Sequence, residues 1–169
     1  VKDGLRRMYG ENSENIFYYL TVYNEPYIQP AEPENVDVDG IIRGIYNLSR
    51  NEHGGTKAQI LASGVAVPWA YEAQQLLQDD WGVSADIWSV TSWSELRRDG
   101  LAHDEAVFLN PGVNYAKPYV TTKLEGAPGP FLAVSDYTHS VPDMIRQWVP
   151  GDYATLGADT AANILARYN

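Results

Sequence analysis

The sequence predicts an α/β fold: an open, mostly parallel (mixed) sheet with helices on both faces. Three observations predict it. Short apolar runs of strand length alternate with longer helical patterns, the order a parallel sheet requires. Residues 16–22 (IFYYLTV) are continuously apolar rather than alternating, as in a strand buried on both faces. The 169 residues, 44% hydrophobic and 20% charged, suffice for one good core plus an appendage.

Taken in order, residues 3–14 read as an amphipathic helix with Leu5, Met8 and Tyr9 on one side. Residues 16–22 follow as the buried strand. Residues 25–39 hold Pro26, Pro30 and Pro33, five acids and no Lys or Arg. Proline favours extended chain and the acids keep it solvated, so this stretch reads as a domain linker, not a helix. A short helical turn then leads to a strand around 46–49, and His53-Gly54-Gly55 forms a turn. Residues 58–62 are a strand ended by Ser63-Gly64. Residues 65–79 are a helix that tolerates Pro68 in its first turn. A strand at 85–90 precedes a helix at 92–101, which opens on a capping box of Ser92 and Glu95. Residues 131–134 are a strand, 138–149 a helix and 153–156 a last strand. The division is therefore 1–24, the end of one domain; 25–39, a linker; and 40–169, a second domain. One helix and one strand cannot make a domain, so a partner domain is expected upstream. The start at Val1-Lys2-Asp3-Gly4, without Met, reads as a fragment or as part of a longer chain.

The net charge is -10, with 12 Lys+Arg against 22 Asp+Glu. That balance argues against a nucleic-acid backbone or an anionic membrane as partner. No apolar run approaches the roughly 20 residues of a spanning helix. No signal peptide is visible, and the absence of Cys removes disulfides, Cys–zinc sites and thiol nucleophiles together. A cytoplasmic location fits. The 5 Trp and 12 Tyr suit either a buried association surface or an aromatic core, and Trp88, Trp93 and Trp148 are the candidate anchors.

No complete active site is legible. His53, His103 and His139 lack the spacing of a metal set, and no metal ligand is assigned. Ser135, Asp136 and His139 lie within five residues, where a capped helix start is simpler than a triad. There is no nucleophile elbow and no phosphate loop. Ser63-Gly64 sits at a helix N-terminus, which could hold an anion but reads better as a close-packed turn. Asn47-Leu48-Ser49 matches the glycosylation pattern without secretory features around it. Tyr23, Asn24 and Glu25 stand at the carboxyl end of the 16–22 strand, where open α/β sheets bind ligands. They are the candidate substrate-channel residues, although polar residues end most strands.

Several segments together resemble one family: 3–9 (DGLRRMY), 14–21 (ENIFYYLT), 23–27 (YNEPY), 43–46 (RGIY), 60–64 (ILASG), 88–100 (WSVTSWSELRRDG), 134–137 (VSDY) and 148–159 (WVPGDYATLGAD). The family is the homodimeric bacterial pyruvate dehydrogenase decarboxylating component, in its actinobacterial form. The resemblance implies a transketolase-like chain, of which this sequence is the last helix and strand of the pyrimidine-binding domain and most of the C-terminal domain. It implies thiamine diphosphate and Mg as cofactors, held by upstream residues that match nothing here. It further implies pyruvate as substrate, a homodimer, and acetyl transfer to lipoyl groups of a dihydrolipoamide acetyltransferase core. The part read here would be mainly structural and dimer-forming, and inactive by itself. The family continues after Asp159 with a Gly-Phe-Gly loop and a long helical stretch, whereas residues 160–169 (TAANILARYN) resemble its last helix, so a deletion or a gap is expected there. Two other readings stay open: another thiamine-diphosphate enzyme, such as transketolase or a different 2-oxoacid dehydrogenase, and a stand-alone α/β binding module without catalysis.

Overall fold

The computed structural model describes residues 1–23, 26, 28 and 30–159. The chain divides into two compact units, Val1–Ala31 and Glu32–Asn169.

In the first unit, helix α1 spans Lys2–Tyr9. Gly4 sits under the Tyr18 ring, where a Cβ would lie 3.0 Å from the ring carbon. Tyr18 donates to Asp3 at 2.6 Å, and Arg7 donates to both Glu14 oxygens at 2.8 and 2.6 Å. These bonds fold the chain after α1 back onto it. They also hold Asp3 below the usual carboxylate range, chiefly through Tyr18 and then Arg6. The expected strand at 16–22 does not form. Phe17, Tyr19 and Val22 are 85%, 84% and 87% exposed. A strand exists only through its ladder, and no neighbouring strand lies beside this run among the described residues of its unit.

The first helix of the second unit is α2, Val38–Arg43, the expected helical turn begun two residues earlier, at the end of what the sequence reads as linker. Asp37 starts it by accepting from the Gly40 N–H, an N-cap that neighbouring prolines do not reveal. Strand β1, Ile45–Ser49, follows, then β2, Thr56–Ala62, helix α3, Ala66–Trp81, and β3, Val83–Val90. Helix α4 spans Trp93–Leu109, eight residues beyond the expected end at 101. The helix runs on past Gly100, whose bare Cα makes room for Trp148: a Cβ there would stand 2.4 Å from the indole. Helix α5, Tyr119–Leu124, has no counterpart in the sequence reading, since six residues carry too little periodicity. Strands β4, Phe131–Val134, and β5, Tyr153–Leu156, fall where expected.

The expected helix at 138–149 is broken. It resolves into a single turn, α6 at Ser140–Asp143, and a 3-10 turn at Arg146–Trp148. Backbone bonds there run from residue i+3 to i, including Ile145 to Pro142 and Trp148 to Ile145. That tighter winding aligns residues three apart. It sends both Ile145, 0% exposed, and Trp148, 7%, into one core.

The sheet order is β1-β3-β2-β4-β5. Strand β1 runs antiparallel to β3, while β3, β2, β4 and β5 pair in parallel. Alternate residues feed two cores. Leu61, Trp88, Phe131 and Ala133 pack with Trp93 and Leu96 of α4, Val120 and Leu124 of α5, and Trp148. Ile60, Ala62, Ala85 and Ile87 pack with Ala66, Val67 and Ala70 of α3 on the opposite face. The sheet is therefore mixed, mostly parallel and covered on both faces. Trp88, Trp93 and Trp148, each 7% exposed, are core residues of this one chain.

Candidate functional site

The carboxyl ends of the four parallel strands form one rim. Strand β2 leaves toward α3 on one face, while its neighbour β4 leaves toward α6, whose Val141 packs on the other. Adjacent parallel strands with exits on opposite faces define a topological switch point, the usual ligand position in open α/β sheets.

Short side chains and glycines build this rim. Ser63 ends β2 and its Oγ accepts the Trp93 indole N–H at 3.1 Å, tying the start of α4 to β2. Gly64 turns the chain into α3 with φ +56. After β3, the Thr91 hydroxyl donates to the Ile41 carbonyl at 2.7 Å. Ser92 Oγ accepts from the Glu95 N–H at 3.1 Å, one half of the expected capping box. The other half is not made: the Glu95 carboxylate pairs with Arg98, and the Ser92 N–H goes to the Gly44 carbonyl.

After β4, Ser135 is 4% exposed and its Oγ accepts the Tyr137 N–H at 3.1 Å. His139 turns to Asp159 beyond β5. Its backbone N–H donates to Oδ1 at 2.8 Å, and Nδ1 lies 2.5 Å from Oδ2. Gly157 closes the same seam, where a Cβ would fall 2.2 Å from the His139 nitrogen. The residues clustered in sequence at 135–139 therefore form a capped turn, and no Ser–His bond occurs among the described residues. The imidazole's actual partner is twenty positions away. Only the adjacency of β4 and β5 reveals it, and no short-range signal in the sequence carries that adjacency.

The other sequence candidates scatter. Asn24 and Glu25 lie outside the described residues, and Tyr23 is 41% exposed in the first unit. His53 sits in the bend after β1, where its carbonyl accepts from Lys57 and Ser84. His103 lies on α4 with a buried Nδ1 that finds no partner. No three His, Asp or Glu side chains among the described residues converge as a metal set. The Asn47 amide nitrogen of the glycosylation pattern is buried in β1, out of reach of a glycan-transferring enzyme. Thiamine diphosphate and a divalent metal do not fit the described residues, which include no carboxylate cluster to hold the metal. No helix among the described residues is long and apolar enough to cross a membrane.

One polar cluster stands apart from the rim. Lys123 Nζ lies 2.5 Å from Asp37 Oδ2, which holds Asp37 below and Lys123 above their usual ranges. Arg43 stacks 3.8 Å over the buried Tyr119 ring, and Asp99 accepts the Tyr119 N–H at 2.6 Å. The arrangement joins α2, α4 and α5 and has every carboxylate engaged, so it reads as structural.

Comparison with known proteins agrees with this anatomy. A protein named pyruvate dehydrogenase E1 component, from Mycobacterium tuberculosis, is 57% identical over 160 residues, covering 94% of this chain and 17% of its own length. The protein of the same name from Corynebacterium glutamicum is 51% identical over 160 residues, 94% of this chain and 17% of that one. A transketolase structure from Campylobacter jejuni aligns over 82% of this chain and 18% of its own, with 17% identity and a TM-score of 0.45. The chain thus spans under a fifth of the length of the curated relatives it matches. Residues 44–161 match the family described as the Transketolase-like TK C-terminal domain. That interval contains the whole sheet, from Ile45 in β1 to Leu156 in β5. The chain belongs to the transketolase-like C-terminal domain family.

Proposed function

We infer that this chain serves as the C-terminal part of a pyruvate dehydrogenase E1 component. The carrying observation is 57% identity across 94% of the chain to a protein of that name. In this reading residues 1–24 complete a pyrimidine-binding domain, 25–39 link the domains, and 40–169 are the C-terminal domain. The exposed apolar run at 16–22 supports the first point, because an unpaired β-forming segment fits a sheet supplied by other parts of a larger protein. Tyr23, Asn24 and Glu25 then border the substrate channel.

The enzyme would decarboxylate pyruvate and pass the acetyl group to lipoyl groups on a dihydrolipoamide acetyltransferase core, working as a cytoplasmic homodimer. Thiamine diphosphate with Mg supplies the carbanion chemistry when bound, and its ligands lie on other parts of the protein. Residues 45–156 contribute a sheet packed on both faces, with the rim hydroxyls of Ser63, Thr91, Ser92 and Ser135 engaged within the domain. The test takes the protein as the cell makes it, captured with an antibody raised against residues 40–159. Intact mass is measured, followed by pyruvate-dependent reduction of an artificial electron acceptor with thiamine diphosphate and Mg. Turnover of pyruvate, but not of ketose phosphates, is expected. Failure to consume pyruvate with all cofactors present would overturn the assignment.

A further inference from the structure

Helix α3 carries an outward stripe that the packing leaves uncovered. Trp69 and Leu76 are 57% and 59% exposed, seven positions apart and so on one side of the helix. Glu72, Asp79 and Asp80 flank them at the matching spacings and are exposed. The 16 residues of α3 contain no Lys, Arg or His. Among the described residues, no cation lies within 4 Å of these three carboxylates, although nine other ion pairs form. Among the described residues, these carboxylates' one side-chain hydrogen bond is internal, from Gln75 to Asp79 at 2.8 Å. The opposite side of the helix is committed to the core through Ala66, Val67 and Ala70.

We propose that this stripe is a docking surface for a basic amphipathic helix of another protein. Trp69 and Leu76 would take its apolar side, and Glu72, Asp79 and Asp80 would pair with its Lys or Arg residues. Large apolar side chains ringed by charges of one sign mark an interaction site, and Trp is enriched among the residues that dominate binding energy. The charge selects the occupant. A second copy would bring acids against acids across a two-fold axis, and a nucleic acid or an anionic membrane would be repelled outright. At 1.5 Å per residue α3 is about 24 Å long, which accommodates about four turns of a partner helix. The inference requires α3 to lie on the surface of the longer protein, which titration against the full protein tests.

The test uses fluorescein-labelled peptides of about 16 residues in anisotropy titrations against the full protein. One holds only Lys and Leu, with Leu at i, i+3, i+4 and i+7. A second replaces Leu with Gly at equal charge, and a third replaces Lys with Glu. The Lys/Leu peptide is expected to bind best and to weaken with added salt. Trp69→Ala with Leu76→Ala, and separately Glu72→Gln with Asp79→Asn and Asp80→Asn, should each weaken it about tenfold or more. Phe108→Ala, in an exposed apolar patch on α4, should leave binding unchanged. Both multiple variants change exposed side chains only, and an unchanged melting temperature verifies folding. Equal binding of the Lys/Gly peptide, no loss in either multiple variant, or self-association that Trp69→Ala abolishes would overturn the proposal.

Discussion

The indole N–H of Trp88 on β3 donates to the side-chain oxygen of Gln59 on β2 across 2.7 Å, where Gln59 has no exposed surface. The Gln59 amide donates in turn to the Pro128 carbonyl at 2.9 Å. Its backbone N–H reaches the Pro130 carbonyl at 2.9 Å, so one buried residue ties two strands to the loop that delivers β4.

Gln59→Leu leaves the buried Trp88 N–H without its partner, while the carbonyl of the exposed Pro128 turns to water. Leaving a buried polar group unpaired costs about 1–3 kcal/mol, and a loss of that size is expected. Trp88→Phe removes the donor, leaves the buried Gln59 oxygen unpaired and opens a cavity where the indole packed. The double variant should be more stable than the sum of the two losses implies, because both partners are then gone. Urea denaturation of the four proteins measures this coupling, and strict additivity would refute it.

Gly100 lies inside α4, where alanine is normally the better helix former by about 1 kcal/mol. Here the order reverses. A Cβ would stand 2.4 Å from the Trp148 indole, which is itself locked in the core. Gly100→Ala should destabilise by about 1–3 kcal/mol through overpacking. A thermal melt that moves upward would contradict the packing described.

Ser92→Ala removes the hydroxyl that accepts the Glu95 N–H at the start of α4. A loss of about 1 kcal/mol is expected in equilibrium unfolding. Because Glu95 engages Arg98 rather than the Ser92 N–H, Glu95→Ala should cost less than the serine change.

Asp37 caps α2 and pairs with Lys123. Lys123 and then the Gly40 N–H depress its pKa below the ordinary 3.8. A carboxylate with a depressed folded pKa adds stability that is fully present above its unfolded value and is lost as pH falls through the folded one. Lys123 is raised above 10.5, so its share is present below that pH and fades as pH climbs through the raised value. Asn caps a helix about as well as Asp, so Asp37→Asn removes chiefly the ion pair and should cost about 0.5–1 kcal/mol near neutral pH. The gap from the unaltered protein should narrow below pH 3.8, and again as pH climbs above 10.5. Melting temperatures of both proteins across pH check the window, and a gap that closes between pH 6 and 8 (roughly the histidine range) would contradict it.

Local composition alone determined the elements whose signal is local. Residues 131–134 and 153–156 are apolar, bounded by Pro130 and Asp152, and form strands with those bounds. Ser92 marked the start of α4 because a hydroxyl before a helical pattern has one good use. The alternation of strand and helix was enough for a mixed, mostly parallel sheet. It was not enough for strand order. The placement of β2 between β3 and β4, and the reversal of β1, arise from side chains far apart in sequence sharing two cores. Tertiary packing also wound 140–148 tightly so that Ile145 and Trp148 reach one core. It left 16–22 unpaired, because an apolar run becomes a strand only beside another. His139 found Asp159, not its near neighbours, for the same reason: hydrogen-bond partners are chosen in space, and only the sheet brings those two residues together.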